Sequence, residues 1–152
     1  MLQIMFSGLF SSFLGLSLGF GILFNIKGKN LILAGIGGAI GGMVYKLVLF
    51  LGGSEMIAMF SGSVVFSLYS EILARVCKTP VTTFIICALI PLVPGGGMYR
   101  TMQQAIAGNI DKALAIGLNT ISIAGVLVLG ILLVSTLMRA FYHMQKERKA
   151  RV

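Results

Sequence analysis

The chain has 152 residues, 57% of them hydrophobic and only 11% charged, with a mean hydropathy of +1.00 and a formal charge of +8. Soluble domains carry about 25% charged residues, so this composition excludes a soluble globular enzyme, and its apolar content excludes a disordered segment. The basic residues sit at the ends of apolar runs, where they set membrane topology, so nucleic acid is excluded as a partner.

A length of 152 residues allows about four to six crossings at ~20 residues each. The first run, residues 2–26, is uncharged, and Lys27 and Lys29 follow it. A cleaved signal peptide carries its positive charge before the apolar core, so this run is expected to be a retained span. The second run, residues 31–51, holds one charge, Lys46, expected to snorkel beside Tyr45 at the interface. Gly52, Gly53 and Ser54 make a turn, and Ser54 followed by Glu55 suits the start of a third helix. That run extends over residues 55–74, and Glu71 and Arg75 have the i,i+4 spacing of an ion pair at its end. A fourth run starts near Thr79 and contains Pro91 and Pro94 followed by Gly95, Gly96 and Gly97. A short polar stretch, residues 100–111, leads to a fifth run over 113–138 and a basic tail that holds the lone His143. Cys77 and Cys87 form no CxxC pair and have no neighbouring His, and are expected to be buried free thiols.

Five crossings put Lys27, Lys29, Arg75, Lys78, Arg139, Lys146, Arg148, Lys149 and Arg151 on one side and Lys46, Arg100 and Lys112 on the other. That division obeys the positive-inside rule, whereas a non-crossing fourth run would divide the charges evenly. The expected architecture is an all-α integral membrane protein of about five transmembrane helices, the fourth broken by Pro/Gly. Residues 1–140 form one transmembrane domain with its N-terminus outside, and 141–152 form a basic cytoplasmic tail. Small residues recur at packing intervals: Ser7, Ser11, Gly15 and Gly19 in the first run, Gly37/Gly41 and Gly38/Gly42 in the second. Close backbone approach within the bundle is the favoured use of these faces, with docking of a second subunit as the alternative.

The chemistry concentrates at the fourth run. Pro91 and Pro94 lack N–H groups, and three successive glycines let a backbone leave helical geometry. A break at that depth survives only when buried in protein or facing water, and transporters use such breaks as substrate sites. The amides of Gly95, Gly96 and Gly97 are then candidates for an anion nest, and Arg100 for a two-pronged clamp on a carboxylate. The alternative is an ordinary Pro/Gly turn with Tyr99 and Arg100 as interfacial anchors. Glu55, Glu71 and Asp111 are candidate proton sites, although caps or salt bridges account for acids at span ends. Asn119 is a candidate interhelical or substrate contact, because a buried amide needs partners. Gln103 and Gln104 are placed at an outer vestibule or in water. No nucleophile–base pair, metal-ligand spacing or phosphate loop occurs in the sequence, so neither an enzyme nor a cofactor or metal is expected.

The stretch Ala88-Leu89-Ile90-Pro91-Leu92-Val93-Pro94-Gly95-Gly96-Gly97-Met98-Tyr99-Arg100 resembles the threonine/serine exporter (ThrE) family, in the form of its small YjjB-type subunits. Looser matches are Val44-Tyr45-Lys46, Glu71-Ile72-Leu73-Ala74-Arg75, Lys78-Thr79-Pro80 and the segment from Gly108 to Ala113. The resemblance implies export of a small amino acid or a succinate-like dicarboxylate, driven by a proton gradient across a bacterial inner membrane. It also implies a larger multi-span partner subunit of YjjP type, and it leaves room for homo-oligomerisation. The competing classes are a holin-like pore former and a structural membrane subunit that never touches substrate.

Overall fold

The computed structural model describes the backbone of residues 2–150 and the side chains of 13–144. The described residues are helical nearly throughout and contain no strand. Six α-helices follow one another: α1 (Leu2–Leu23), α2 (Lys29–Phe50), α3 (Glu55–Val76), α4 (Val81–Leu89), α5 (Gly95–Ile106) and α6 (Ile110–Ala150). A single 3-10 turn, Ile90–Leu92, extends α4.

Local chemistry sets the boundaries. The Ser54 hydroxyl accepts a hydrogen bond from the Ile57 amide at 3.4 Å, and Glu55 occupies the positive first turn of α3. At the other end the Glu71 carboxylate pairs with Arg75 at 2.6 Å. Gly52 and Gly108 adopt positive φ, 84° and 78°, in the turns after α2 and α5; a side chain would strain that backbone.

Contacts fix the helix directions. α2 lies antiparallel to α1, since Gly38 meets Ser17 and Gly42 meets Phe13, and antiparallel to α3, since Gly37 meets Tyr69 and Gly41 meets Phe66. α4 runs alongside α2, with Ala88 beside Gly37 and Leu92 beside Gly41. α6 runs with α3, with Gly130 against Ser63 and the Arg75 guanidinium 3.7 Å over the Tyr142 ring. The bundle therefore has a basic end, holding Lys27, Lys29, Lys78 and Arg139, and a far end, where the α2–α3 and α5–α6 turns lie.

The overlapping glycine pairs of α2 serve two neighbours at once: Gly38 and Gly42 receive α1, while Gly37 and Gly41 receive α3. A lipid-embedded bundle lacks a hydrophobic drive for association, so this close packing carries the contact energy. These glycines are consumed inside the bundle and supply no argument for a second subunit. Gly15 and Gly19 of α1 face open space instead, and the side chains of Ser7 and Ser11 lie outside the described residues.

Among the described residues, α2, α3 and α6 are each long and apolar enough to cross a membrane, and the bent α4–α5 pair brings the number to four. The expected first span is helical over Leu2–Leu23, with described side chains only from Phe13 onward. Both cysteines are free, Cys87 buried and Cys77 partly so, and Lys46 Nζ sits 5.8 Å from the Tyr45 ring centroid.

Candidate functional site

The fourth apolar run breaks within its Pro/Gly stretch as expected, at Val93 and Pro94, while the glycines stay helical. α4 tightens into the 3-10 turn, Val93 turns extended (φ −58°, ψ 128°), and α5 starts at Gly95 with its axis bent by 47°. Extended geometry at Val93 is what a following proline imposes, because its ring clashes with helical backbone at the preceding residue. Ile90 precedes Pro91 yet stays helical (φ −55°, ψ −44°), so Pro94 is the breaking residue.

Gly95, Gly96 and Gly97 lie in the first turn of α5 rather than in unwound backbone. The Gly95 amide donates to Val93 O at 2.7 Å, and those of Gly97 and Met98 donate to Pro94 O at 3.1 and 3.3 Å. With two of the three glycine amides committed, the expected nest of three free N–H groups is not formed. The role of the third glycine is packing: a Cβ at Gly97 would collide with the Thr120 side chain, whereas Gly95 and Gly96 have nothing within 4 Å.

The hinge is anchored from below. Leu92 is buried between α2 and α3, and its methyl groups reach within about contact distance of Gly41 and Gly62, near the midpoints of those helices. Pro91 and Pro94 are half-buried around it. Beyond the hinge, α5 touches α6 and no other helix among the described residues, and none of its residues is buried. Gly97 seats on Thr120 and Thr101 on Gly117, an antiparallel hairpin of small contacts. Both threonine hydroxyls are satisfied within their own helices, Thr101 to Gly97 O at 2.9 Å and Thr120 to Ile116 O at 2.7 Å.

Arg100 is exposed on α5, about two turns outward from Pro94. It lies beyond the start of α3, because Gly97 already meets Thr120, ten residues outward along α6 from the Gly130–Ser63 contact. Tyr99 is exposed as well. Asn119 lies on the same hairpin but is exposed, so the expectation of a buried amide inside the bundle is corrected. The reason is register: Thr120 takes the position facing α5 and turns Asn119 to the side. Gln103 is exposed, and Gln104 accepts a hydrogen bond from Asn109 Nδ2 at 3.0 Å, bracing the α5–α6 turn.

The three acids separate. Glu55 and Asp111 are exposed in first turns of α3 and α6, as helix-end charges. Glu71 is 3% exposed, packed inside the bundle with Arg75 as partner. Next to it, and missed in the sequence, Ser63, Ser67 and Ser70 are fully buried along one side of α3, and the Ser67 and Ser70 hydroxyls have no partner. The signal was present: hydroxyl residues three and four apart within an apolar run lie on one helix face. Ser17 of α1 is fully buried as well, its hydroxyl without a partner, and apart from it and Thr120 the rest of the core is apolar, with Phe66, Phe84 and Cys87 fully buried. The described residues hold no group of three or more His, Cys, Asp or Glu arranged for a metal ion.

The family model for the threonine/serine exporter ThrE matches residues 8–137. No curated protein and no solved structure matches the chain.

Proposed function

The chain belongs to the threonine/serine exporter family, and from that premise we propose that it is a membrane subunit of a secondary exporter for threonine- and serine-like amino acids or succinate-like dicarboxylates. It is driven by the proton-motive force and works with a larger, multi-span subunit of YjjP type. It lies in a bacterial inner membrane with the basic end in the cytoplasm.

The observation that carries this reading is the hinge at Pro94. A rigid structural subunit has no use for a transmembrane segment that bends by 47° above a buried Leu92 and continues as a short helix bearing an arginine. Secondary transporters place substrate at such discontinuities, where two half-helices can shift against each other. Pro94 sets the hinge beside Pro91, and Gly97, at the end of the glycine run 95–97, seats α5 on α6. Arg100 meets the carboxylate common to both substrate classes, with Asn119 as a polar neighbour on the hairpin and Tyr99 at the rim. Glu71 is preferred as the coupling acid over Glu55 and Asp111, because a carboxylate inside the bundle changes partner when it takes a proton. A holin-like pore would need a wet lumen, whereas the core described above is closed by Phe66, Leu92 and glycine contacts.

Counterflow of labelled serine, threonine and succinate into vesicles from cells holding this chain and its partner tests the proposal. A hydrogen bond to a charged group contributes about 1.5–3 kcal/mol, so Arg100→Ala should weaken half-saturation by roughly ten- to a hundredfold. Arg100→Lys keeps the charge without the planar fork and should recover part of that. Wild-type kinetics in Arg100→Ala would make Arg100 an interfacial anchor and the chain a structural subunit.

A further inference from the structure

The α5–α6 hairpin has two unlike flanks. A helix advances 100° per residue, and the contacts of Gly97 with Thr120 and of Thr101 with Gly117 fix how the two antiparallel helices face each other. Stepping from those contacts puts Arg100 and Gln103 of α5 on the same side as Lys112 and Asn119 of α6. The opposite side receives Met98 and Met102 of α5 together with Ile110, Leu114 and Ile121 of α6. The apolar set is strongly exposed, Met102 at 66% and Ile121 at 69%, and the polar set is exposed too. Among the described residues the hairpin touches the remaining helices only along the inner part of α6, which packs on α3.

Resting on the exporter reading above, we infer that substrate passes along the polar flank of this hairpin, above the outer end of the chain's own bundle where Asn119 stands one turn beyond the packed Ile123, and that a second, different membrane protein supplies the facing wall. The described interior does carry a polar stripe, Ser63, Ser67 and Ser70 beside Glu71, but these side chains are buried among close-packed glycine, alanine and phenylalanine contacts and leave the flank as the exposed polar surface. The surface grooves between α3 and α6 are almost wholly apolar, lined by Val64, Leu68, Leu133 and Leu137 on one side and Phe60 and Leu129 on the other. Lipid tails suit those grooves and do not suit a flank with an arginine and two amides. The flank carries Arg100 and Lys112 without an acid, so a second copy related by a two-fold axis would bring like charges together. A partner presenting carboxylate and amide side chains fits the charge, and the carboxylate of a passing solute competes for the same arginine.

The test pairs cysteines at matched depth, Asn119→Cys and Gln103→Cys on the polar flank, Ile121→Cys and Met102→Cys on the apolar flank, with the unmodified chain as blank for Cys77 and Cys87. Membranes of the native host and the purified chain in liposomes are both treated with a charged, membrane-impermeant methanethiosulfonate. Only a hydrated thiol ionises and reacts, so positions 119 and 103 should be modified at least about tenfold faster than 121 and 102. Serine or threonine should slow modification at 119 severalfold in native membranes and have no effect on the chain alone. Equal rates on the two flanks would overturn the inference, as would serine protection of the purified chain, which would mean a site complete in this subunit. An oxidative 119–119 disulfide between copies would replace the different partner by a second copy and overturn it too. Transport measured in native-host membranes holding the unmodified chain separates the two claims. Unequal flanks without transport of any tested solute would remove the exporter reading, and transport with two inert flanks would remove the path.

Discussion

Gly95 and Gly97 are two residues apart in one helical turn, and the structure gives them opposite tolerances. At Gly95 an added Cβ meets nothing within 4 Å. Replacing it by alanine should be neutral or should stabilise α5 by up to ~1 kcal/mol, the difference in helix propensity between the two residues. At Gly97 the same methyl would lie 2.9 Å from Thr120 Cγ2 and 3.2 Å from its Cβ, and would overlap the hydroxyl outright. Thr120 is held by its bond to Ile116 O, so α5 must move away from α6. Overpacking of this kind costs about 1–3 kcal/mol, here concentrated on the only helix that α5 touches among the described residues. The assay is counterflow beside thermal unfolding in mild detergent, with membrane abundance measured for each variant. Gly95→Ala should transport at the wild-type rate with an unchanged or raised midpoint. Gly97→Ala should lose most transport, and Thr120→Ala in the same chain should restore part of it by making room for the methyl. If the glycines served as unwound backbone, both substitutions would be damaging alike. Loss of transport in Gly95→Ala at normal abundance would therefore refute the packing argument.

The packing and charge of the bundle set four further outcomes. Gly62→Ala puts a methyl 3.0 Å from both the Gly41 carbonyl oxygen and Leu92; it should lower stability by about 1–3 kcal/mol in detergent unfolding, with Gly15→Ala as the silent control. Arg75→Ala strands the buried Glu71 carboxylate and should destabilise by on the order of 3 kcal/mol. Glu71→Gln in the same background should recover much of that loss, and failure to recover would mean that the ion pair contributes nothing. Glu71→Gln by itself should abolish accumulation driven by a pH gradient while sparing counterflow; unchanged accumulation would remove Glu71 from coupling. For topology, a cysteine at position 150 should resist an impermeant thiol reagent in intact cells and one at Gly53 should react, and labelling at 150 from outside would reverse the orientation.

Much of this protein is legible in its order of residues. Composition excludes a water-soluble fold, because too few polar side chains exist to cover an apolar core. Runs of apolar residue punctuated by glycine turns and basic ends give the helices, and the Ser54–Glu55 start and Glu71–Arg75 end of α3 are local events that i,i+3 and i,i+4 spacing dictates. The family was legible too, through the motif from Ala88 to Arg100.

What the sequence left open was which way each residue faces, since a helix in lipid is apolar on every side and its periodicity carries little signal. Only packing decides that Gly38 and Gly42 turn to α1 while Gly37 and Gly41 turn to α3. Packing likewise confines the Pro/Gly break to Pro94: three adjacent glycines permit unwinding, but the hydrogen bonds to Pro94 O and the seat on Thr120 make a helical turn the better solution. The same register carries Asn119 out of the core and onto the flank of Arg100. Local chemistry therefore determined where helices begin and end, and the tertiary fit of small side chains decided which polar groups are left facing outward.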